Sequence, residues 1–249
     1  MLTEFSAREV LEEGWITSYE QHIEVTWQQL IKLNLGIRAL NKLTSFPFEL
    51  FETTPQHFWR LTINALFEMC VMTIWRIAVD TSADGLTLQK FKNQICQHVR
   101  DDKYSKLLNS SIKQKQLDKT IKVLGPKIEE IRHNFIAHLN LLQHTDPTSS
   151  KLYEKPLVLS ELEQYQRTVN EYFEILCFSS FRALLPWEYS SDDVNDEIDD
   201  LLLNVARHST LINAPEKNPY LWPGIRDSLT DIQVEILNNY RSKLGLSLI

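Results

Sequence analysis

The stretch Gln56–Asp80, QHFWRLTINALFEMCVMTIWRIAVD, decides the fold class. Phe58, Leu61, Ile63, Leu66, Phe67, Met69, Val71, Ile74, Trp75 and Ile77 recur at helical spacing and cover nearly all sides of the predicted helix. A helix that is apolar almost all round belongs in the interior of a helical assembly. Thr81-Ser82-Ala83-Asp84-Gly85 ends it as a turn, and Thr44–Pro55, with two prolines, precedes it as a break.

The neighbouring segments are also helical. Upstream, residues 7–43 carry Val10, Leu11, Trp15, Ile16, Tyr19, Ile23, Trp27, Leu30 and Ile31 at steps of three and four, which predicts one long helix. Downstream, Thr87 caps a helix to about Val99. Residues 102–124 predict a lysine-rich helix interrupted by Gly125-Pro126, and Pro126 starts the next helix, which reaches about His144. Asp146–Ser150 is a loop. Ser160, with Glu163 three residues on, predicts a capping box for a helix to about Leu184. After Pro186 an acidic segment, a Pro/Asn-rich loop over 213–224 and a last helix over 226–244 follow. Six glycines and nine prolines are too few for an all-β fold. The expected architecture is all-α: an up-and-down bundle over 1–186 with an acidic, helical C-terminal extension over 187–249.

Composition narrows the function. Neither GxxxxGK[ST] nor GxGxxG occurs, so the sequence holds no Gly-rich phosphate loop. Cys70, Cys96 and Cys177 are scattered, with no CxxC, which predicts free thiols, no zinc site and no cofactor. No uninterrupted apolar run reaches the roughly 18 residues of a membrane span, and the N-terminus lacks the basic and apolar regions of a signal peptide. A cytoplasmic protein without a membrane partner is expected. The net charge of −7 hides a polarity. Seven lysines fall between Lys103 and Lys127 against the single acid Asp118, and seven acids fall between Glu188 and Asp200 with no base. Such asymmetry suits a polyanion-facing side, or an ordinary solvated face.

The chemistry concentrates in Ile131-Arg132-His133-Asn134-Phe135-Ile136-Ala137-His138-Leu139. Arginine carries a permanent charge and a planar fork of donors suited to phosphate oxygens. Histidine exchanges protons near neutral pH. At about 100° per residue, Arg132 and His138 lie roughly 120° apart on a regular helix. Either the helix is distorted there, or two copies pool their residues across a two-fold axis. Glu130, Asn134 and His138, each four apart, share one face, which is expected to line the groove.

This run resembles the R-x(4–6)-H signature of the HEPN superfamily, all-helical ribonucleases and interaction domains. "IRHNFIAHLN" resembles most closely the form seen in the abortive-infection, AbiU-like branch. Upstream, "FWRLTINALFEMCVMTIWRIAVDTSADGLTLQKF" is similar to that branch's apolar central helix, and the resemblance covers about residues 10–185. It implies a bundle that dimerises through its motif helices. It also implies metal-independent cleavage of RNA, leaving a 2′,3′-cyclic phosphate.

By the same resemblance His138 is the general acid or base and Arg132 holds the phosphate, with His133 and Asn134 in support. Asn134 stands where a lysine is common, which removes one positive charge. Lys119, Lys122 and Lys127 are the expected RNA-backbone contacts. The implied partners are RNA, a second copy of the chain, and an antitoxin or other defence protein that restrains a toxin. The alternative is a non-catalytic interaction module whose Arg/His run forms a helix seam.

Overall fold

The computed structural model describes residues 4–51, 56–133, 157–179 and 192–249. Within them the chain forms eleven α-helices: α1 Ala7–Val10, α2 Ile16–Ser45, α3 Gln56–Ile74, α4 Leu88–Gln97, α5 Asp102–Gln114, α6 Leu117–Ile131, α7 Leu159–Leu176, α8 Asp192–Arg207, α9 Ala214–Lys217, α10 Trp222–Asp227 and α11 Asp231–Lys243. Among the described residues the extended pairing is one isolated bridge, Leu11 to Val99, and the all-α bundle expected from the sequence is the fold observed.

Several boundaries differ from the sequence reading, each for a local reason. The single helix expected over 7–43 breaks after Val10, where Leu11 is extended and Glu13–Trp15 forms a 3-10 turn. The strand-like hydrogen bonds Arg100 N to Val10 O (2.8 Å) and Glu12 N to His98 O (2.9 Å) capture this backbone. They replace helix bonds that Gly14 would have weakened anyway.

The expected break at Gly125-Pro126 is absent. It falls instead at Gln116, whose φ of 53° is left-handed, and α6 runs through Pro126. An interior proline removes the donor for the Lys122 carbonyl, a loss of about 3 kcal/mol in an isolated helix. Lys122 and Pro126 are exposed, so water reaches that carbonyl. Burial of Ile121, Ile128 and Ile131 on the opposite face holds the helix together.

Helix α7 begins at Leu159, two residues earlier than a Ser160 cap would allow. Val158 has no side-chain acceptor, so only half of a capping box forms: Val158 N donates to Glu161 Oε2 at 3.0 Å.

The described residues divide into two compact units. One comprises those of Met1–Ile37 and Leu66–Ser191, the other those of Arg38–Ala65 and Asp192–Ile249. The boundary thus runs through α2 and α3, and 192–249 shares its unit with 38–65.

In the first unit the core is built from Ile23, Leu30, Leu33, Val71, Ile74, Phe91, Ile95, Leu108, Ile121, Leu162, Val169 and Phe173. Polar ties fix the helices laterally. Tyr19 Oη donates to Leu176 O (2.9 Å) and accepts from Phe178 N (3.0 Å). Asp118 accepts from Tyr172 Oη (2.8 Å), Gln89 Nε2 (3.1 Å) and Lys92 Nζ (3.2 Å), joining α6, α7 and α4. Cys70 and Cys177 are buried free thiols. Burial pushes the Cys70 thiol up to about 12, far from the reactive range.

In the second unit Phe46, Phe51 and Tyr240 form a ring cluster with centroids 5.1 to 5.6 Å apart. Arg241 is 1% exposed and donates to the Ser247 carbonyl at 2.6 Å, to the Ile212 carbonyl and to the Glu216 carboxylate. The Pro/Asn-rich segment over 213–224, expected as a loop, contains α9 and α10. Pro215 and Pro223 sit in their first turns, where a missing N–H carries no penalty.

The central helix also differs from expectation. Phe58 and Leu61 are exposed in its first half, while Cys70, Val71 and Ile74 are fully buried in its second. Phe58–Val79 is a 22-residue helical stretch long and apolar enough by length and composition to cross a membrane, and 33% of its apolar stretch is buried in the fold. Arg60, Glu68 and Arg76 interrupt its apolar run, which is why the sequence showed no unbroken span.

Candidate functional site

The site grows from two irregular turns that face each other. Helix α3 widens into a π-helical turn over Trp75–Val79 before the chain turns at Asp80. Helix α6 ends at Ile131, and Arg132 and His133 continue it in π conformation. Single π turns inside α-helices occur preferentially at functional sites. Helix α6 packs mainly on the Trp75–Val79 turn and on α7, so the two turns are neighbours.

Arg132 leaves α6 toward this junction. Its guanidinium carbon lies 4.2 Å from the centroid of the Trp75 ring. Such a cation–π contact contributes about 0.5 to 2 kcal/mol, more as it is desolvated. Stacking occupies the face of the guanidinium and leaves its donor-bearing edge available. Arg132 Nε is buried and has no hydrogen-bond partner among the described residues, and neither has Trp75 Nε1. Buried orphan donors are rare in folded proteins.

Asp80 follows on the same turn. Partial burial works against its ionisation. The Ser82 backbone and hydroxyl, with the charges of Lys90 and Arg132, outweigh that, so its carboxyl titrates below the ordinary range. Ser82 N donates to Asp80 Oδ1 at 2.9 Å, and Lys90 Nζ donates to the Ser82 carbonyl, which fixes the turn. Asp80 therefore sits as a fixed negative charge within electrostatic reach of Arg132.

The uninterrupted α6 also decides where the lysines lie. Lys119, Lys122, Pro126, Glu129 and His133 follow steps of three and four and form one exposed stripe ending at the Arg/His run. Lys119 and Lys122 have no ion pair among the described residues. Lys127 is committed elsewhere: its Nζ contacts the Glu161 carboxylate at 2.6 and 2.8 Å, at the start of α7. That contact, with the Val158 N–H, holds the Glu161 carboxyl below its ordinary range. Lys103 and Lys115 are likewise paired, with Asp101 at 3.2 Å and Glu171 at 3.6 Å. Of the seven lysines that give segment 103–127 its charge, at least three therefore have acid partners.

A family model for AbiU2, a HEPN domain, matches residues 16–201, three quarters of the chain. The chain belongs to the AbiU2 family of HEPN domains. It is thus a HEPN-type, abortive-infection-related protein. No curated protein and no solved structure matches it.

Of the residues the HEPN motif singles out, Arg132 stands half-buried at the junction of the two π turns and His133 is exposed beside it. Asn134 and His138 lie outside the described residues, as does the remainder of the helix expected to reach His144. Glu130 is exposed on α6. Trp75 and Asp80 were missed as site residues by sequence reasoning. Trp75 sat at core spacing, and no local pattern distinguishes a tryptophan that receives a cation from one that fills a core. Among the described residues no cluster of three His, Cys, Asp or Glu side chains is placed to hold a metal.

Proposed function

We propose that this HEPN domain is a metal-independent endoribonuclease, acting as a toxin or antiviral-defence effector. Arg132 binds the scissile phosphate and His138 exchanges the proton, with His133 and Asn134 in support. The RNA 2′-oxygen attacks phosphorus and gives up its proton to a base. The bond from phosphorus to the 5′-oxygen breaks as that oxygen gains a proton, leaving a 2′,3′-cyclic phosphate and a 5′-hydroxyl. A positioned acid or base contributes about 10²- to 10⁴-fold. A fixed cation aimed at the developing phosphate charge is often the larger contribution. Lys119 and Lys122 draw in the backbone along α6, and a second copy of the chain completes the groove.

The observation that carries this reading is the state of Arg132. Its ring-facing side rests on Trp75, and its buried Nε–H lacks an acceptor among the described residues. A phosphate oxygen is an acceptor of the right charge for that donor. The test is cleavage of total RNA and tRNA in EDTA by wild type, Arg132→Ala and His138→Ala, with end-group analysis. Cleavage by wild type alone, with cyclic-phosphate ends, is expected. Equal cleavage by His138→Ala would overturn the role given to that histidine.

A second reading has its own observation. The Arg132–Trp75 stack ties α6 to the end of α3, as a structural seam does. On that reading the domain is a non-catalytic interaction module. His138→Ala then lowers the melting temperature or dissociates the oligomer, whereas a catalytic histidine leaves both unchanged.

A further inference from the structure

Between α6 and the turn after α3 lies a groove of about 240 Å³. Val79, Ile121 and Pro126 give it apolar surface, Thr81 and Gln89 line it beside them, and Lys122 and Glu129 stand on its α6 flank. Gly125 opens it: a Cβ there would meet the Val79 methyls at 3.7 and 3.8 Å. Lys122 and Glu129 are seven residues apart on one helix face, about 10 Å along the axis. Among the described residues neither has an ion-pair partner, so a cation and an anion flank an apolar slot without neutralising each other. Glu129 precedes Arg132 by three residues, which puts the slot one step along the helix from the proposed phosphate site.

We propose that this groove is a guanine subsite, holding the base next to the phosphate at Arg132; the proposal rests on the ribonuclease reading above. An apolar slot takes the flat face of a base. Single-stranded RNA is read by splaying bases out and bonding their edges. An ionised carboxylate only accepts hydrogen bonds, and an ammonium only donates them. Guanine alone among the four bases offers two adjacent donors, N1–H and N2–H, on one edge, with acceptors O6 and N7 beyond them. Glu129 matches the donor pair and Lys122 matches the acceptors. Adenine presents a ring acceptor beside its amino group, which would face the Glu129 carboxylate unfavourably. Cytosine has the same fault, and uracil offers a single N–H between two carbonyls.

The test uses binding to the full chain. The probes are 2′-O-methyl hexanucleotides, which cannot be cleaved through the 2′-oxygen, with one guanine or one adenine among uridines. Free GMP and AMP form the second arm. The guanine strand is expected to bind about tenfold or more tightly than the adenine strand, the size of a good two-point base contact. Glu129→Gln and Lys122→Gln should each reduce that ratio several-fold, with melting temperatures unchanged because both side chains are exposed. Equal binding of the two strands, or a ratio unchanged in both variants, would overturn the subsite. Free GMP binding as tightly as the guanine strand would also overturn it, because the ligand would then be a nucleotide and not RNA. No cleavage is read in these arms, so a wild type inactive on RNA counts against the ribonuclease reading alone.

Discussion

Arg132 lies over Trp75, with 4.2 Å between the guanidinium carbon and the ring centroid, and this contact joins the end of α6 to the π turn that ends α3. It fixes the direction of Arg132, the first cation of the Arg/His run. The stack holds the guanidinium without using its edge, so a rigidly held donor set faces the junction. Asp80, beside it on the turn, keeps the arginine from being an isolated buried charge.

Replacing Trp75 should therefore separate position from charge. Trp75→Phe keeps a ring and should lower stability by about 1 to 2 kcal/mol. Trp75→Ala removes both ring and volume and should cost about 3 kcal/mol or more. If Arg132 binds phosphate, both variants lose RNA affinity or cleavage while Arg132 remains present, and Trp75→Phe loses less. Chemical denaturation and RNA binding on the same samples check this. Full RNA affinity in a folded Trp75→Ala would dissociate the stack from the site.

The lysines should divide by salt dependence. A contact to single-stranded RNA contributes about 0.7 to the slope of log affinity against log salt. Lys119→Ala should reduce the slope by about that amount. Lys127→Ala should leave the slope nearly unchanged and instead destabilise the start of α7 by roughly 0.5 to 1 kcal/mol, because its charge is engaged with Glu161. RNA titrations at several salt concentrations, with thermal melts, distinguish the two behaviours.

Asp118 should make the bundle acid-sensitive. Burial opposes its ionisation, but hydrogen bonds from Tyr172 and Gln89 and the charge of Lys92 prevail, so its folded pKa lies below the ordinary aspartate value. A depressed carboxyl stabilises the fold above its unfolded pKa of about 3.9. That contribution is lost as pH falls through the lower, folded value. Asp118 also pushes the Tyr172 hydroxyl up, after the larger effect of burial. Tyr172→Phe should cost about 1 to 2 kcal/mol at neutral pH, the loss of a hydrogen bond to a charged acceptor. Below the folded pKa of Asp118 the difference from wild type should shrink. Urea denaturation across pH 2 to 7 measures it, and a constant difference would contradict the pairing.

Two glycines on different helices should respond oppositely to alanine. At Gly36 a Cβ would meet Met69 Cε at 2.5 Å and the buried Cys70 Sγ at 2.7 Å, so α2 and α3 depend on the missing side chain to approach. Gly36→Ala should cost about 1 to 3 kcal/mol by overpacking. At Gly125 the nearest atoms are 3.7 Å away, so alanine fits and should stabilise α6 by up to about 1 kcal/mol. Equal effects on the melting temperature would show that the α2–α3 approach is looser than the contacts indicate.

Periodicity made the helical class legible, and apolar spacing located α3, α4 and α11 to within a few residues of where they lie. The Arg/His run was legible as chemistry because Arg132 and His133 are unusual in an apolar helix. Boundaries failed where a distant partner decided them. The break after Val10 is held by residues 98–100, and the continuity of α6 through Pro126 by the packing of Ile121, Ile128 and Ile131. A proline reads as a boundary because locally it is one. Only buried contacts made elsewhere on the helix can outweigh its lost hydrogen bond.

The sequence by itself determined the all-α class, the family and the identity of the charged residues, because periodicity, motif and charge are properties of neighbours along the chain. Only the tertiary structure decided what those charges do. It put Trp75 under Arg132, Glu161 on Lys127, and Lys122 with Glu129 beside an apolar groove. The helices that meet at these points are dozens of residues apart in sequence, and their approach is set by core packing, which no local pattern records.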